Sequence, residues 1–178
     1  MTTRWLSGQE HRTWLYTLTA VQLLESELDR RMQREAGMPL AYYMLLAALS
    51  EAPDRTMRMG DLAAFTNASQ SRLSHAVRRL EQNGWVRRQR HAGDRRVVLA
   101  VLTDDGYRAL AAAAPGHVRA VRELLFERLE EADLTALQDV AARVLDGVDT
   151  TGDARALLVA RTVPLTDVAE HGQHPMED

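Results

Sequence analysis

Two short stretches hold the side chains best equipped for chemistry. Ser69-Gln70-Ser71-Arg72-Leu73-Ser74-His75-Ala76-Val77-Arg78-Arg79 interleaves hydroxyl, amide, imidazole and guanidinium groups with apolar residues at helical spacing. His91-Ala92-Gly93-Asp94-Arg95-Arg96 sets a carboxylate beside two arginines in a stretch of turn-forming residues. Guanidinium groups meet guanine O6 and N7, or a phosphate, through two parallel hydrogen bonds, whereas serine contacts bases or phosphates with little selectivity. The chemistry on offer is recognition of nucleic acid, for which donors must be held at groove spacing and no bond need break.

Charge points the same way once its distribution is considered. The whole chain carries a formal net charge of -3. From Arg58 to Arg96, however, nine arginines (58, 72, 78, 79, 87, 88, 90, 95, 96) face three acids (Asp61, Glu81, Asp94), leaving +6 there and -9 elsewhere. A molecule with one basic face is what phosphate binding requires. Every basic residue among the 22 is arginine.

Other chemistries lack their residues. The chain has no cysteine, which removes disulfides, thiol catalysis, thiol redox sensing and zinc sites built on thiolates. No Gly-x-Ser-x-Gly and no glycine-rich loop with lysine occur, and the serines and acids fall on caps and solvent faces, so no catalytic residues are expected and the chain reads as a non-enzyme. The six histidines (11, 75, 91, 117, 171, 174) form no cluster with ligand spacing, and neither a metal nor a cofactor is expected. No apolar run reaches membrane-spanning length and no signal peptide opens the chain, so no membrane association and a cytoplasmic location are the expectation.

The elements that must position these residues are mostly helical. Trp14, Leu18, Val21, Leu28 and Met32 recur at helical steps over about 9–35, stopped by Gly37 and Pro39. Leu40 to Glu51 is apolar almost all round and so should be buried on most sides. A short helix over 60–65 and a second capped by Ser69 and ended by Gly84, its inward face Leu73, Val77 and Leu80, form a helix-turn-helix with Thr66-Asn67-Ala68 between. Ser71, His75 and Arg78 then point most directly outward, with Arg72, Ser74 and Arg79 on the flanks.

Runs at 85–90 and 97–102 read as a hairpin with its turn at 91–96. Trp85, at its root, reads as a core anchor rather than a stacking platform. Asp94, two residues before Arg96, is placed to hold that guanidinium at the hairpin tip, where a thin arm suits a narrow minor groove. Thr103 should cap a long helix that Pro115-Gly116 kinks or breaks, with Val118, Val121, Leu125 and Leu129 resuming the period. A final helix over 134–147 precedes a tail in which 154–161 suits a short helix and 172–178 reads as disordered.

The segment "GDLAAFTNASQSRLSHAVRRLEQNGWVRRQRHAGDRRVVLAVLTDDG" resembles the MarR family of regulators. The resemblance rests on Leu80-Glu81-Gln82-Asn83-Gly84-Trp85-Val86-Arg87-Arg88, on Asp94-Arg95-Arg96, and on Leu102-Thr103 followed by Gly106, in that order. It implies a mainly α fold with a small β-hairpin wing: a winged helix-turn-helix over 39–106, flanked by dimerisation helices over 1–38 and 107–148, with a tail over 149–178. It implies a homodimer acting on double-stranded DNA at a pseudo-palindromic operator, commonly as a repressor.

DNA contacts are then expected from Ser69, Gln70, Ser71, Arg72, Ser74, His75, Arg78 and Arg79 on the recognition helix. On the wing they are expected from Asp94, Arg95 and Arg96, with Arg96 in the minor groove and Arg95 on phosphate. The resemblance further implies release by a small aromatic ligand between the dimerisation helices and the winged domain. His11, Trp14, Tyr42 and Tyr43 are placed to line that cleft. The alternative is a winged-helix interaction module without DNA binding, which would have no reason to keep arginines on the wing and recognition face.

Overall fold

A computed structural model describes residues 3–66 and 69–149. The expected tail helix and disorder, the histidines at 171 and 174, and Asn67 and Ala68 lie outside the described residues. Among the described residues, six α-helices and a three-stranded antiparallel sheet follow in the order α1 (Gly8–Ala36), α2 (Leu40–Glu51), β1 (Thr56–Arg58), α3 (Met59–Phe65), α4 (Gln70–Gln82), β2 (Val86–Arg90), β3 (Val98–Leu102), α5 (Asp104–Leu124) and α6 (Glu131–Val148).

Local chemistry sets the ends of these helices. Ser7 and Glu10 form a reciprocal capping box at the start of α1, and Gly37 ends it in the left-handed region at φ 66°. Asp29 of α1 accepts the backbone N–H of Leu40 at 2.8 Å, satisfying a free donor at the first turn of α2 and fixing the two helices together. The core then assembles from Tyr43, Leu46 and Leu49 of α2, Leu62 of α3, Leu73, Val77 and Leu80 of α4 and Leu110 of α5. As its largely apolar sequence requires, α2 is buried along most of its surface, with Ala41, Met44 and Glu51 exposed.

Two expectations need correction. The sheet has a third strand: β1 pairs with β3 on the side opposite β2, Met57 facing Ala100. Three residues, Thr-Met-Arg, are too short to show an alternating pattern. Helix α5 also runs through Pro115-Gly116 instead of breaking there. A proline inside a helix removes one hydrogen bond and strains the turn before it, at about 3 kcal/mol. Against that, Ala113, Ala114 and Ala120 on either side of it are buried, and the α1–α5 packing holds the helix continuous. The interruption comes later, at Leu125, whose backbone leaves helical angles ahead of a single 3-10 turn over Phe126–Arg128, so the helical period does not reach Leu129.

Gly106 explains one motif physically. A Cβ at that position would lie 2.0 Å from the Trp85 carbonyl oxygen and 2.8 Å from Leu102 Cδ1. Only glycine lets the first turn of α5 approach the root of the hairpin so closely.

Candidate DNA interface

The recognition helix α4 is hung from Ser69, whose hydroxyl accepts the Arg72 N–H at 3.3 Å. Burying Leu73, Val77 and Leu80 turns the opposite face outward: Gln70, Ser71, Arg72, His75, Arg78 and Arg79 are exposed, and Ser74 is half-buried on the flank. The outward face expected from the helical wheel is thus the face presented. Arg79 donates to Gln82 Oε1 at 3.2 Å. Glu81, the acid nearest along the helix, is committed to Arg88 of β2. Arg78 has no hydrogen-bond or ion-pair partner among the described residues.

The wing turn closes through His91 N–H to the Val97 carbonyl and Val97 N–H to the Asp94 carbonyl, both at 3.0 Å. His91 Nδ1 accepts the Gly93 N–H at 3.1 Å. Asp94 Oδ1 accepts the Arg96 backbone N–H at 3.0 Å and its Nε at 3.2 Å, and Oδ2 accepts a terminal guanidinium nitrogen at 3.3 Å. These bonds hold the Asp94 carboxyl below its ordinary value, with His91 and Arg58 adding to the effect. The Arg96 side chain stays 92% exposed. Arg95 is exposed beside it. Trp85 is half-buried against the core, in the anchoring role.

Two arginines counted in the basic stretch, Arg58 and Arg90, were not among the contact residues expected from the sequence. Arg58 ends β1 close enough to influence Asp94, and placing it there required knowing that β1 exists. Arg90 is exposed at the outer end of β2, opposite Val98 and in register with Arg88 and Val86. The two-residue alternation of the strand was the signal for it.

The four residues expected to line an effector cleft are not brought together within one protomer. His11 and Trp14 are exposed on the first half of α1, and Trp14 precedes Asp29, where α2 attaches, by 15 residues, or roughly 22 Å of helix. Tyr42 is half-buried. Tyr43 is 1% exposed, its ring 4.5 Å from that of His117. Burial pushes the Tyr43 phenol up to about 12 and lowers His117. Clefts border the second half of α1. One, of about 590 Å³, lies among Glu25 and Asp29 of α1, Leu40 and Met44 of α2, and Arg72 and Ala76 of α4. A smaller one, of about 200 Å³, lies between Met32 and Glu35 of α1 and Ala113, Gly116 and His117 of α5. Among the described residues no group of three or more acids or histidines is placed to hold a metal, and no helix is long and apolar enough to cross a membrane.

This arrangement of helices and wing is shared with solved structures. Sco3205, a MarR family transcriptional regulator from Streptomyces coelicolor whose structure is in complex with DNA, is 46% identical, with a TM-score of 0.80 over 84% of this chain and 94% of that one. The chain belongs to the MarR family of transcriptional regulators. The MarR family model matches residues 36–97, the stretch from the end of α1 through the wing turn. AbsC, a second MarR family regulator from Streptomyces coelicolor, is 37% identical with a TM-score of 0.78, over 83% of this chain and 99% of that one. The regulator PecS of Dickeya dadantii is 41% identical over 69 residues, a match spanning 38% of this chain and 42% of PecS. These MarR family relatives are transcriptional regulators and not enzymes.

Proposed function

We propose that this MarR family protein is a homodimeric, sequence-specific DNA-binding repressor that reads a two-fold operator and is released by a small ligand. The observation that carries the DNA-binding reading is the pairing of two prepared arginines: Arg78, unpaired among the described residues on the outward face of α4, and Arg96, held exposed on the wing by Asp94. Gln70, Ser71, Arg72, Ser74 and His75 surround the first as major-groove and backbone contacts. Ser69 contributes through its cap and Arg79 from the flank, and Arg95 meets phosphate beside the wing. The likeness to Sco3205, determined in complex with DNA, supports the same docking.

The dimer reading rests on apolar surface that one protomer leaves uncovered. Trp14, Leu18 and Val21 form an exposed stripe on α1, with Trp14 55% exposed. Leu134, Leu137, Val140 and Val144 do the same on α6, a helix that buries no residue in the protomer. Surplus stripes on both terminal helices fit a two-fold interface built from them. The winged unit over 39–106 would then be carried by dimerisation segments over 1–38 and 107–148.

For the effector, the larger cleft between α1, α2 and α4 is the better placed, because Arg72 belongs both to its wall and to the recognition helix. A ligand engaging Arg72 there competes with DNA for the same side chain. The reading is tested by fluorescence anisotropy with random and selected duplexes at low and high salt. Tight, salt-dependent binding with a strong preference for the selected site supports it. No binding to either duplex supports an interaction module instead.

A further inference from the structure

The three bonds between Glu81 and Arg88 join the two elements offered to DNA. Glu81 Oε1 accepts the Arg88 backbone N–H at 2.9 Å, while Oε2 accepts its Nε and a terminal nitrogen, each at 2.7 Å. The carboxylate sits in the last turn of α4, and the arginine is the middle residue of β2. Because β2 is an edge strand, its outward N–H groups have no neighbouring strand among the described residues, and Glu81 supplies one of them with an acceptor. Exposed single ion pairs contribute little. Here both side chains are only 31% exposed, the guanidinium is gripped through two nitrogens, and a backbone bond is added.

We propose that Glu81 is a positioning residue that fixes the wing against the recognition helix, so that the two elements engage DNA as one unit. The inference rests on the DNA-binding reading above and adds a reason for an acid within the basic face. Engaged with Arg88, Glu81 is kept from neutralising Arg78 one turn earlier. Arg88, in turn, is kept from making indiscriminate phosphate contacts. Beyond Arg88 the strand continues through Arg90 into the turn that carries Arg96, so a small rotation at the clasp is magnified at the wing tip.

The test uses the full chain and a duplex selected by the wild-type protein. Glu81→Gln keeps the shape and one acceptor for the Arg88 N–H. It should weaken binding to the selected site roughly tenfold, the change made by about 1.4 kcal/mol, and strengthen binding to random DNA as Arg88 is freed. The penalty of Arg96→Ala should shrink in the Glu81→Gln background, because a wing that is no longer placed has less to lose. Glu81→Ala, which also frees the backbone donor, should lose more than Glu81→Gln. Full affinity and an unchanged Arg96→Ala penalty in Glu81→Gln would overturn the inference and leave the DNA-binding reading intact. So would a lowered melting temperature with the preference for the selected site unchanged. A wild-type protein that selects no duplex would overturn the DNA-binding reading itself, and this inference with it.

Discussion

Asp94 grips Arg96 through both carboxylate oxygens, two residues apart on the wing turn, while leaving the guanidinium almost wholly exposed. The two side chains therefore make opposite predictions under two physical accounts. Removing a negative charge beside DNA should tighten binding if only phosphate attraction matters. If Asp94 acts by orienting Arg96, Asp94→Ala should weaken operator binding, and the double variant should be little worse than Arg96→Ala alone. Anisotropy titrations at fixed salt decide between them. The lowered carboxyl keeps the grip intact through neutral pH, to be lost only as pH falls through that lowered value.

Arg78 and Arg79 are neighbours with different commitments, since Arg79 bonds to Gln82 and Arg78 bonds to none of the described residues. Arg78→Ala should therefore lose about 1–3 kcal/mol more on the selected site than on random DNA. Arg79→Ala should lose a similar, smaller amount on both. Equal losses for Arg78→Ala on the two duplexes would make it a phosphate contact.

The dimer is best tested on α6. Deleting α1 would also remove Met32 from the core and Asp29 from the first turn of α2, so a loss of binding could not be assigned to assembly. Leu137→Glu with Val144→Glu changes only exposed positions of the protomer. This variant should sediment as a folded monomer and lose tight operator binding. A dimer of unchanged stability would place the interface elsewhere.

Burial of His117 lowers its pKa in the folded protein. The unfolded chain then takes up the proton first as pH drops, so stability is full above the ordinary histidine value, about 6.5, and falls as pH descends through the lowered one. The melting temperature should drop from pH 7.5 to 5.5, and His117→Leu should flatten that dependence. The Tyr43 hydroxyl is buried with no hydrogen-bond partner among the described residues, a burden of about 1–3 kcal/mol. Tyr43→Phe should accordingly leave the melting temperature unchanged or raise it.

Wherever periodicity or capping carried the information, the elements were legible in the sequence. Ser69, Gly84 and Thr103 bound their elements as their residue types require, and Leu73, Val77 and Leu80 face the core. The Asp94–Arg96 pair followed from spacing alone. What escaped depended on contacts distant in sequence. β1 exists because β3 lies beside it, and the passage of α5 through Pro115 depends on burial of alanines around it. The commitment of Glu81 to Arg88, rather than to Arg78, depends on where β2 passes the end of α4. The separation of the expected effector residues within one protomer has a related origin: periodicity places Trp14 and Tyr42 on apolar faces, while their distance depends on how α1 and α2 pack.

The most direct test of a two-fold, base-reading regulator is selection of duplexes from a random pool by the purified full-length protein, followed by sequencing. The enriched sites should share an inverted repeat whose half-sites lie about one helical turn apart, one for each recognition helix. Affinity for them should fall steeply with salt yet stay well above that for random DNA. A pool that emerges without any shared sequence, or with a single unrepeated half-site, would contradict the account.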